Sequence, residues 1–177
     1  MRKKIYFLVL YAFSLIGAAQ AIKIGDWNIH ANYSNVNVMT TANNKAYIGT
    51  SAGIFVYNND DNSLTTFSEL DGLSSSNVNA LAYDVNTSSL FVGYLNGKMD
   101  IIYNDQVFSV FDIYLSNVVG SKKINNIYLD EKFAYLSCDF GLVVYSVEKR
   151  EIKETYYFYE NNMIAEVYQS HLFDDDM

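Results

Sequence analysis

The residue types that usually perform catalysis are sparse in this sequence and form no recognisable catalytic pattern. The two histidines, His30 and His171, stand far apart in the chain. No HExxH, CxxC or GxSxG pattern is present, so the residues expected of a zinc hydrolase or a serine esterase are missing. We therefore predict a protein that is not an enzyme, with no catalytic residues, no cofactor and no metal site.

The single cysteine, Cys138, has no partner for a disulfide within the chain. Its place at the end of a predicted strand indicates a buried, unreactive thiol, because reactive thiols need an exposed, electropositive setting. The acidic stretch 58–63 offers carboxylates for calcium, but it lacks the spacing, turn glycine and distal glutamate of an EF-hand loop. A solvated hairpin is the prediction there and for the three aspartates at 174–176.

Aromatic residues are abundant, with 16 tyrosines and 11 phenylalanines. They could line a saccharide-binding surface, or they could form the core and the packing between sheets. A binding cleft also needs convergent polar groups, which the sequence does not place. Ligand-binding residues are therefore unknown at this point.

The elements that would position any such site are set by a repeat. Three similar segments at 46–57, 90–103 and 134–145 recur with a period of 44 residues. Their internal glycines are Gly53, Gly97 and Gly141. A second, shorter repeated pattern precedes each segment and contains Asn37, Asn79 and Asn125. A repeat of about 40–50 residues is typical of four-stranded propeller blades.

Each unit contains four runs of strand-forming residues separated by turn residues. In the second unit the predicted strands are 79–84, 90–94, 97–103 and 106–113. Helical repeats are the rival interpretation, but no segment after residue 21 keeps a 3.6-residue apolar stripe. The predicted fold is all-β, an incomplete β-propeller with about three four-stranded antiparallel blades plus the start of a fourth.

The predicted blades lie near 36–67, 78–113 and 124–159, and a fourth begins at 163–168. Within the last strand, 151–160, alternation places Ile152, Tyr156 and Phe158 on one face. It places Glu151, Lys153 and Thr155 on the other. The glycines between second and third strands are expected to be left-handed turn residues. The three repeated asparagines are interpreted as turn or strand-start residues, and the alternative is a ring of three ligand contacts.

The N-terminus has the organisation of a secretory signal peptide. Basic residues at 2–4 precede an apolar run at 5–17, and Ala19 and Ala21 form a small-x-small cleavage site. The apolar run is shorter than the roughly 20 residues that a membrane-spanning helix needs. We therefore predict a signal peptide at 1–21 and an exported remainder, 22–177, that does not span a membrane; a buried first strand is the alternative.

The formal net charge of −8 argues against nucleic acid as a partner, because nucleic-acid-binding domains present a basic surface. Residues 22–177 contain three units and the start of a fourth, whereas propellers close with four to eight blades. They are therefore interpreted as the N-terminal part of a truncated β-propeller domain.

The linker 71–84 and the strands at 88–105 resemble the repeat of two-component-regulator propellers. The matching residues are Asp71, Gly72, Leu73, Ser74, Val78, Asp84, Phe91, Gly93 and Gly97. The third unit departs from that repeat, because Ser137 and Cys138 replace its Gly-[TY] pair and no DGL precedes Ile124.

The start of the chain around Trp27 resembles the N-terminal β-propeller of PorZ-like type IX secretion system proteins of Bacteroidota. That resemblance implies a cell-surface accessory role, in which anionic lipopolysaccharide is attached to secreted cargo. The implied partners are other surface proteins of the secretion system and lipopolysaccharide or glycan. The implied location is the cell surface, outer-membrane associated or periplasmic.

Two further functions stay open. The first is the periplasmic glycan-sensing propeller of a hybrid two-component regulator. The second is a propeller enzyme such as a lyase or glycosidase, which would need paired carboxylates at one mouth of the ring.

Overall fold

The computed structural model describes residues 35–161 and 163–171, and within them the fold is almost entirely β. Three four-stranded antiparallel sheets follow one another along the chain, each with its strands in sequence order. The first strands of consecutive sheets pack against each other. This arrangement confirms the predicted incomplete propeller, and the described sheets do not close into a ring.

The strand bounds follow the repeat closely. The first sheet consists of β1 (Val36–Ala42), β2 (Lys45–Thr50), β3 (Gly53–Asn58) and β4 (Ser63–Phe67). The second consists of β5 (Val78–Asp84), β6 (Ser89–Tyr94), β7 (Met99–Tyr103) and β8 (Gln106–Val110). The third consists of β9 (Ile124–Leu129), β10 (Phe133–Cys138), β11 (Gly141–Ser146) and β12 (Glu151–Tyr156).

Short asparagine-containing turns set the register of two hairpins. Asn43 and Asn44 join β1 to β2 with φ angles of 48° and 57°. Asn104 and Asp105 join β7 to β8 with φ angles of 48° and 59°. Two consecutive left-handed residues match the twist of the flanking strands, and asparagine and aspartate tolerate that conformation best among residues with a side chain.

The predicted fourth strand of the second unit is too long. The strand ends at Val110, and a one-turn helix, α1 (Asp112–Leu115), follows it. The helical turn brings Ile113 into the core, where it is 4 % exposed, and Ser116 Oγ donates to its carbonyl at 2.6 Å. Burial of Ile113 therefore outweighs the β propensity of this segment.

The predicted alternation along 151–160 is also wrong. A β-bulge shifts the pairing of β12 with β11 between Glu154 and Ile152. Since a shift of one residue exchanges the two faces of a strand, Thr155 shares the half-buried face with Ile152, and Tyr156 is 47 % exposed.

The second sheet is buried on both faces, as expected for the middle blade of three. All six residues of β6 are buried. Leu90 and Val92 belong to the core shared with the first sheet, whereas Phe91 belongs to the core shared with the third. Successive side chains of one strand therefore pack against both neighbouring sheets, which explains why β6 carries apolar side chains on both faces.

The start of the fourth unit lies beside the third sheet. The strands β13 (Tyr159–Glu160) and β14 (Met163–Ile164) form a small hairpin. Beyond it, the backbone N–H of Ala165 donates to Phe158 O at 2.7 Å, and that of Val167 donates to Cys138 O at 3.0 Å. The chain after β14 is thus held against the end of β10.

Candidate functional site

The DGL motif, residues 71–73, lies in the linker between the first and second sheets. A 3₁₀ turn at Glu69–Asp71 begins after Ser68, and Asp71 Oδ2 accepts hydrogen bonds from the backbone N–H and the hydroxyl of Ser68 at 2.9 and 2.7 Å. Gly72 ends the turn with φ 103°, and Leu73 is 4 % exposed in the core between the two sheets. The motif therefore serves to position the second sheet.

Ser74, the residue after this motif, donates a backbone hydrogen bond to a buried carboxylate that the sequence analysis did not identify. Asp100 of β7 is 0 % exposed, and its Oδ2 accepts hydrogen bonds from Ser74 N at 2.7 Å and from Tyr94 Oη at 2.6 Å. Burial, followed by the charge of Asp100, raises the pKa of Tyr94 far above its usual range. The sequence did contain a sign of this carboxylate, because it is an aspartate where the other two sheets have an apolar residue. Phe55 and Val143 stand at the same position in the first and third sheets.

The three repeated asparagines occupy β-bulges in the first strand of each sheet. The pairing register shifts at Asn37, Asn79 and Asn125, so each is the extra residue of its bulge. Each side-chain amide donates to a backbone carbonyl of the next unit. The acceptors are Val78 O at 2.9 Å, Ile124 O at 2.7 Å and Val167 O at 3.0 Å, in that order. These asparagines join neighbouring blades, and in the described residues their amides point at protein acceptors.

The glycine of the Gly-[TY] pair allows the blades to approach closely. A Cβ atom on Gly49 would lie 2.5 Å from Val78 Cγ1, and one on Gly93 would lie 2.7 Å from Ile124 Cγ2. Ser137 stands in the equivalent slot of the third sheet, where its hydroxyl contacts Ser170 Oγ at 3.1 Å. In the first two sheets this position must be glycine because a side chain would clash with the next sheet. In the third sheet, Ser137 instead forms a polar contact with the fourth unit.

The glycines between second and third strands all have positive φ, at 130° for Gly53, 81° for Gly97 and 144° for Gly141. Their surroundings differ despite the equal spacing. Gly53 and Gly141 begin strands, and a Cβ there would lie 2.3 and 2.1 Å from the carbonyl oxygens of Phe67 and Tyr156. Gly97 precedes its strand within a hairpin one residue longer.

Cys138 ends β10 and is fully buried with a free thiol. Burial, followed by the charge of Asp139, raises the pKa of the thiol far above its usual range. The thiolate is the reactive form of cysteine, so this environment makes Cys138 unreactive.

Clusters of metal-ligating side chains and long apolar helices do not occur in the described part of the chain. Within residues 35–161 and 163–171, no three His, Cys, Asp or Glu side chains lie close enough to share a metal ion. His171 packs edge-on against Tyr128 with ring centroids 5.7 Å apart. In the same residues no helix has the length and hydropathy to cross a membrane. His30, Ala19 and Ala21 lie outside the described residues.

Two clefts open between neighbouring sheets and could hold a small molecule. The cleft between the first and second sheets has a volume of about 300 Å³ and contains Tyr47 and Tyr83, whose stacked rings are 5.3 Å apart. Its tyrosines are partnered, since Asn43 donates to Tyr83 Oη at 3.0 Å. The pKa of Tyr47 is raised to about 12, mainly by burial and then by Tyr83.

The cleft between the second and third sheets is larger, at about 760 Å³. Strand β8 and helix α1 form one wall, and Tyr145 and Arg150 of the third sheet contribute to the other. Its volume falls within the range of about 300–1,000 Å³ that is typical of small-molecule sites. Sequence reasoning missed this site because its residues come from two repeats and have no common motif.

Comparison with known families gives one match. Residues 29–177 match the family described as the type IX secretion system PorZ N-terminal beta-propeller domain. No curated protein sequence matches the chain.

Solved structures of similar fold include a bacterial surface protein. The chain is 24 % identical to PorZ of Porphyromonas gingivalis, described as an essential bacterial surface component of the type IX secretion system, with a TM-score of 0.69. The similarity covers 75 % of this chain and 18 % of PorZ.

The extracellular domain of the one-component system protein BT4673 from B. thetaiotaomicron is 18 % identical, with a TM-score of 0.58 over 73 % of this chain and 18 % of that protein. The WD40 repeats of RRP9 are 10 % identical, with a TM-score of 0.57 over 71 % of this chain and 39 % of that protein. At these identities the similarities establish the propeller fold.

Proposed function

Because the chain belongs to the family of PorZ N-terminal β-propeller domains of the type IX secretion system, we propose that it acts in that system. Its role is that of a non-enzymatic accessory component at the cell surface, which helps to anchor secreted cargo to anionic lipopolysaccharide. The observation that carries this proposal is the family match over residues 29–177. The fold similarity to the surface protein PorZ supports it.

The proposed domain organisation follows from the same role. Residues 1–21 act as the export signal, with cleavage after Ala21, and 22–177 form the N-terminal part of the propeller. The chain spans 18 % of the length of PorZ. The partners are other surface proteins of the secretion system and lipopolysaccharide.

Deletion of the gene in its host tests this function. We expect secreted cargo to lose its lipopolysaccharide modification, which immunoblots would show as the loss of high-mass forms from the cell surface. Complementation with the full-length gene should restore them. Unchanged cargo modification in the deletion strain would contradict the proposal.

A second candidate function is glycan sensing by the extracellular propeller of a regulator. The similarity to BT4673 and the DGL motif favour it. Under this alternative, deletion would leave cargo modification intact and would abolish a transcriptional response to a particular glycan. Transcript profiles of the two strains on defined glycans would distinguish the two functions.

A further inference from the structure

The cleft between the second and third sheets contains a buried tyrosine hydroxyl. Tyr145 lines the cleft and is 0 % exposed, and within residues 35–161 and 163–171 its Oη makes no hydrogen bond. Leaving a buried hydroxyl unpaired is destabilising, so a hydroxyl without a protein partner is usually satisfied by an ordered water or a bound molecule. The equivalent residues are Ile102 in the second sheet and Tyr57 in the first, where Tyr57 Oη donates to Asn62 Oδ1 at 2.6 Å. The third sheet therefore has the tyrosine of the first sheet without its hydrogen-bond partner.

An arginine in a strained backbone conformation lies at the same cleft. Arg150 precedes the outer strand β12 with φ 56°, and the residues at this place in the other two hairpins are Asn62 and Asp105, with φ 57° and 59°. Asparagine and aspartate tolerate the left-handed conformation, whereas arginine is sterically disfavoured in it. The third blade therefore carries a guanidinium at this position against the local backbone preference.

The cleft also contains aromatic surface and a charge of the opposite sign. The Arg150 guanidinium carbon lies 4.9 Å from the centroid of the Phe108 ring, and Phe111 and Asp112 continue the same wall. The pKa of Tyr145 is raised to about 12, mainly by burial and then by Asp112, with Arg150 acting in the opposite direction. Both charges thus act on the tyrosine hydroxyl.

This combination of groups favours one class of ligand. A phosphate or another simple anion would be repelled by Asp112, and a simple cation would be repelled by Arg150. A ring compound rich in hydroxyls uses every group present, because carboxylates accept from hydroxyls, guanidinium groups donate to them, and apolar ring faces pack on aromatic side chains. We propose that the cleft between the second and third sheets binds a saccharide, with Arg150, Asp112 and Tyr145 as its polar contacts.

The biological source of the saccharide follows from the proposed function, and this part of the inference rests on that function. In that role the saccharide is the polysaccharide part of the host's lipopolysaccharide. The polar and aromatic groups of the cleft do not depend on a role in secretion, so the cleft could bind a saccharide even if the gene had no part in cargo modification. The test therefore separates binding from the cellular phenotype.

The binding test uses the full-length protein and isothermal titration calorimetry. The probes are polysaccharide released from host lipopolysaccharide by mild acid, intact lipopolysaccharide in vesicles, a panel of common hexoses and hexosamines with their oligomers, and inorganic phosphate. We expect the released polysaccharide or a member of the panel to bind, and phosphate not to compete. Absence of binding to all the saccharides would overturn the proposal, as would binding of intact lipopolysaccharide alone, which would indicate recognition of the lipid.

Variants of the cleft residues give the sharper test. Arg150→Asn removes the guanidinium and restores a residue suited to the left-handed turn, so it should fold at least as well as the parent and weaken saccharide binding at least tenfold. Tyr145→Phe should weaken binding severalfold without loss of thermal stability. Lys153→Gln is the matched control, because Lys153 Nζ also lies over an aromatic ring, 4.5 Å from the centroid of Phe133, but outside this cleft. Equal affinity of Arg150→Asn and the parent protein would overturn the proposal.

The cellular arm distinguishes the two failures. If the released polysaccharide binds but a strain carrying Arg150→Asn modifies its cargo normally, the cleft is a saccharide site and its assigned role in secretion is wrong. If the deletion strain loses cargo modification but Arg150→Asn binds saccharide as the parent does, the function stands and the assignment of the cleft is wrong.

Discussion

Tyr94 and Asp100, on adjacent strands of the second sheet, form a hydrogen bond of 2.6 Å in which the phenol donates to a fully buried carboxylate. The same oxygen accepts the backbone N–H of Ser74, so the linker from the first sheet is tied to the interior of the second. Among the residues that the structure describes, Oδ1 of Asp100 has no hydrogen-bond partner. The carboxylate therefore depends on the two donors at its other oxygen.

Tyr94→Phe is expected to destabilise the protein by about 1–3 kcal/mol, because it leaves a buried acceptor with one donor fewer. Urea denaturation at neutral pH measures the change. Tyr103→Phe in the neighbouring strand is the control, since Tyr103 is 41 % exposed. A loss no larger than that of the control would show that the hydrogen bond contributes little.

Gly93→Ala is expected to cost about 1–3 kcal/mol, because the new methyl group would overlap Ile124 of the third sheet and force the blades apart. The matched variant is Ser137→Ala, which keeps a Cβ atom in a slot that already holds one. Thermal unfolding of both proteins should show a clear decrease for the first and a smaller one for the second. Equal decreases would contradict the steric explanation.

Asn125→Ala should loosen the start of the fourth unit, since the Asn125 amide donates to Val167 O and, at 2.8 Å, to Asp139 Oδ1. The expected loss is about 1 kcal/mol, together with faster amide hydrogen exchange at Val167. Asn126→Ala, one residue along the strand, is the control and should leave that exchange rate unchanged. Unchanged exchange in Asn125→Ala would show that the segment is held by other contacts.

Stability is expected to fall at high pH because of Tyr145. Burial raises the pKa of this tyrosine from its ordinary value of 10.0 to about 12. A raised folded-state pKa means that its contribution is fully present below pH 10 and is lost as the pH rises toward about 12, since the unfolded chain ionises first. Denaturation curves across that window should be less pH-dependent in Tyr145→Phe; identical slopes would show that other groups cause the fall.

Cys138 should not react with thiol reagents in the folded protein, because it is buried and its pKa is raised. Ellman's reagent at pH 8 should detect the thiol only after urea is added. Rapid labelling under native conditions would mean that the third sheet opens readily, and hydrogen exchange along β10 would then locate the opening.

The repeat predicts most of the fold but little of the candidate site. Strand-forming residues and equal spacing locate all three sheets to within a few residues, because each blade uses the same local pattern. The helical turn at α1 was missed because burial of Ile113 in the neighbouring core decides it. The role of Asn79 depends on a bulge, and a bulge is a property of pairing between two strands that one strand does not reveal.

The cleft residues were missed for a similar reason. Tyr145 resembles any other strand tyrosine, and Arg150 resembles any other turn residue, until the second and third sheets are placed side by side. What could have been noticed is the departure from the repeat, since the other hairpins have asparagine or aspartate where the third has Arg150. Exceptions to an internal repeat indicate sites that the fold alone does not require.

The hydrogen bonds that asparagines form between neighbouring units always run from an earlier unit to a later one, which affects how the chain folds during synthesis. Each asparagine amide donates to a carbonyl that lies 41, 45 or 42 residues later in the chain. The four strands of a blade are therefore synthesised before the carbonyl that its asparagine binds. Every newly finished blade therefore exposes an apolar face until the next inner strand arrives to cover it. We expect assembly to proceed from the N-terminus, one docking step at a time, and a pause after any blade to be the moment when the nascent chain most needs a chaperone.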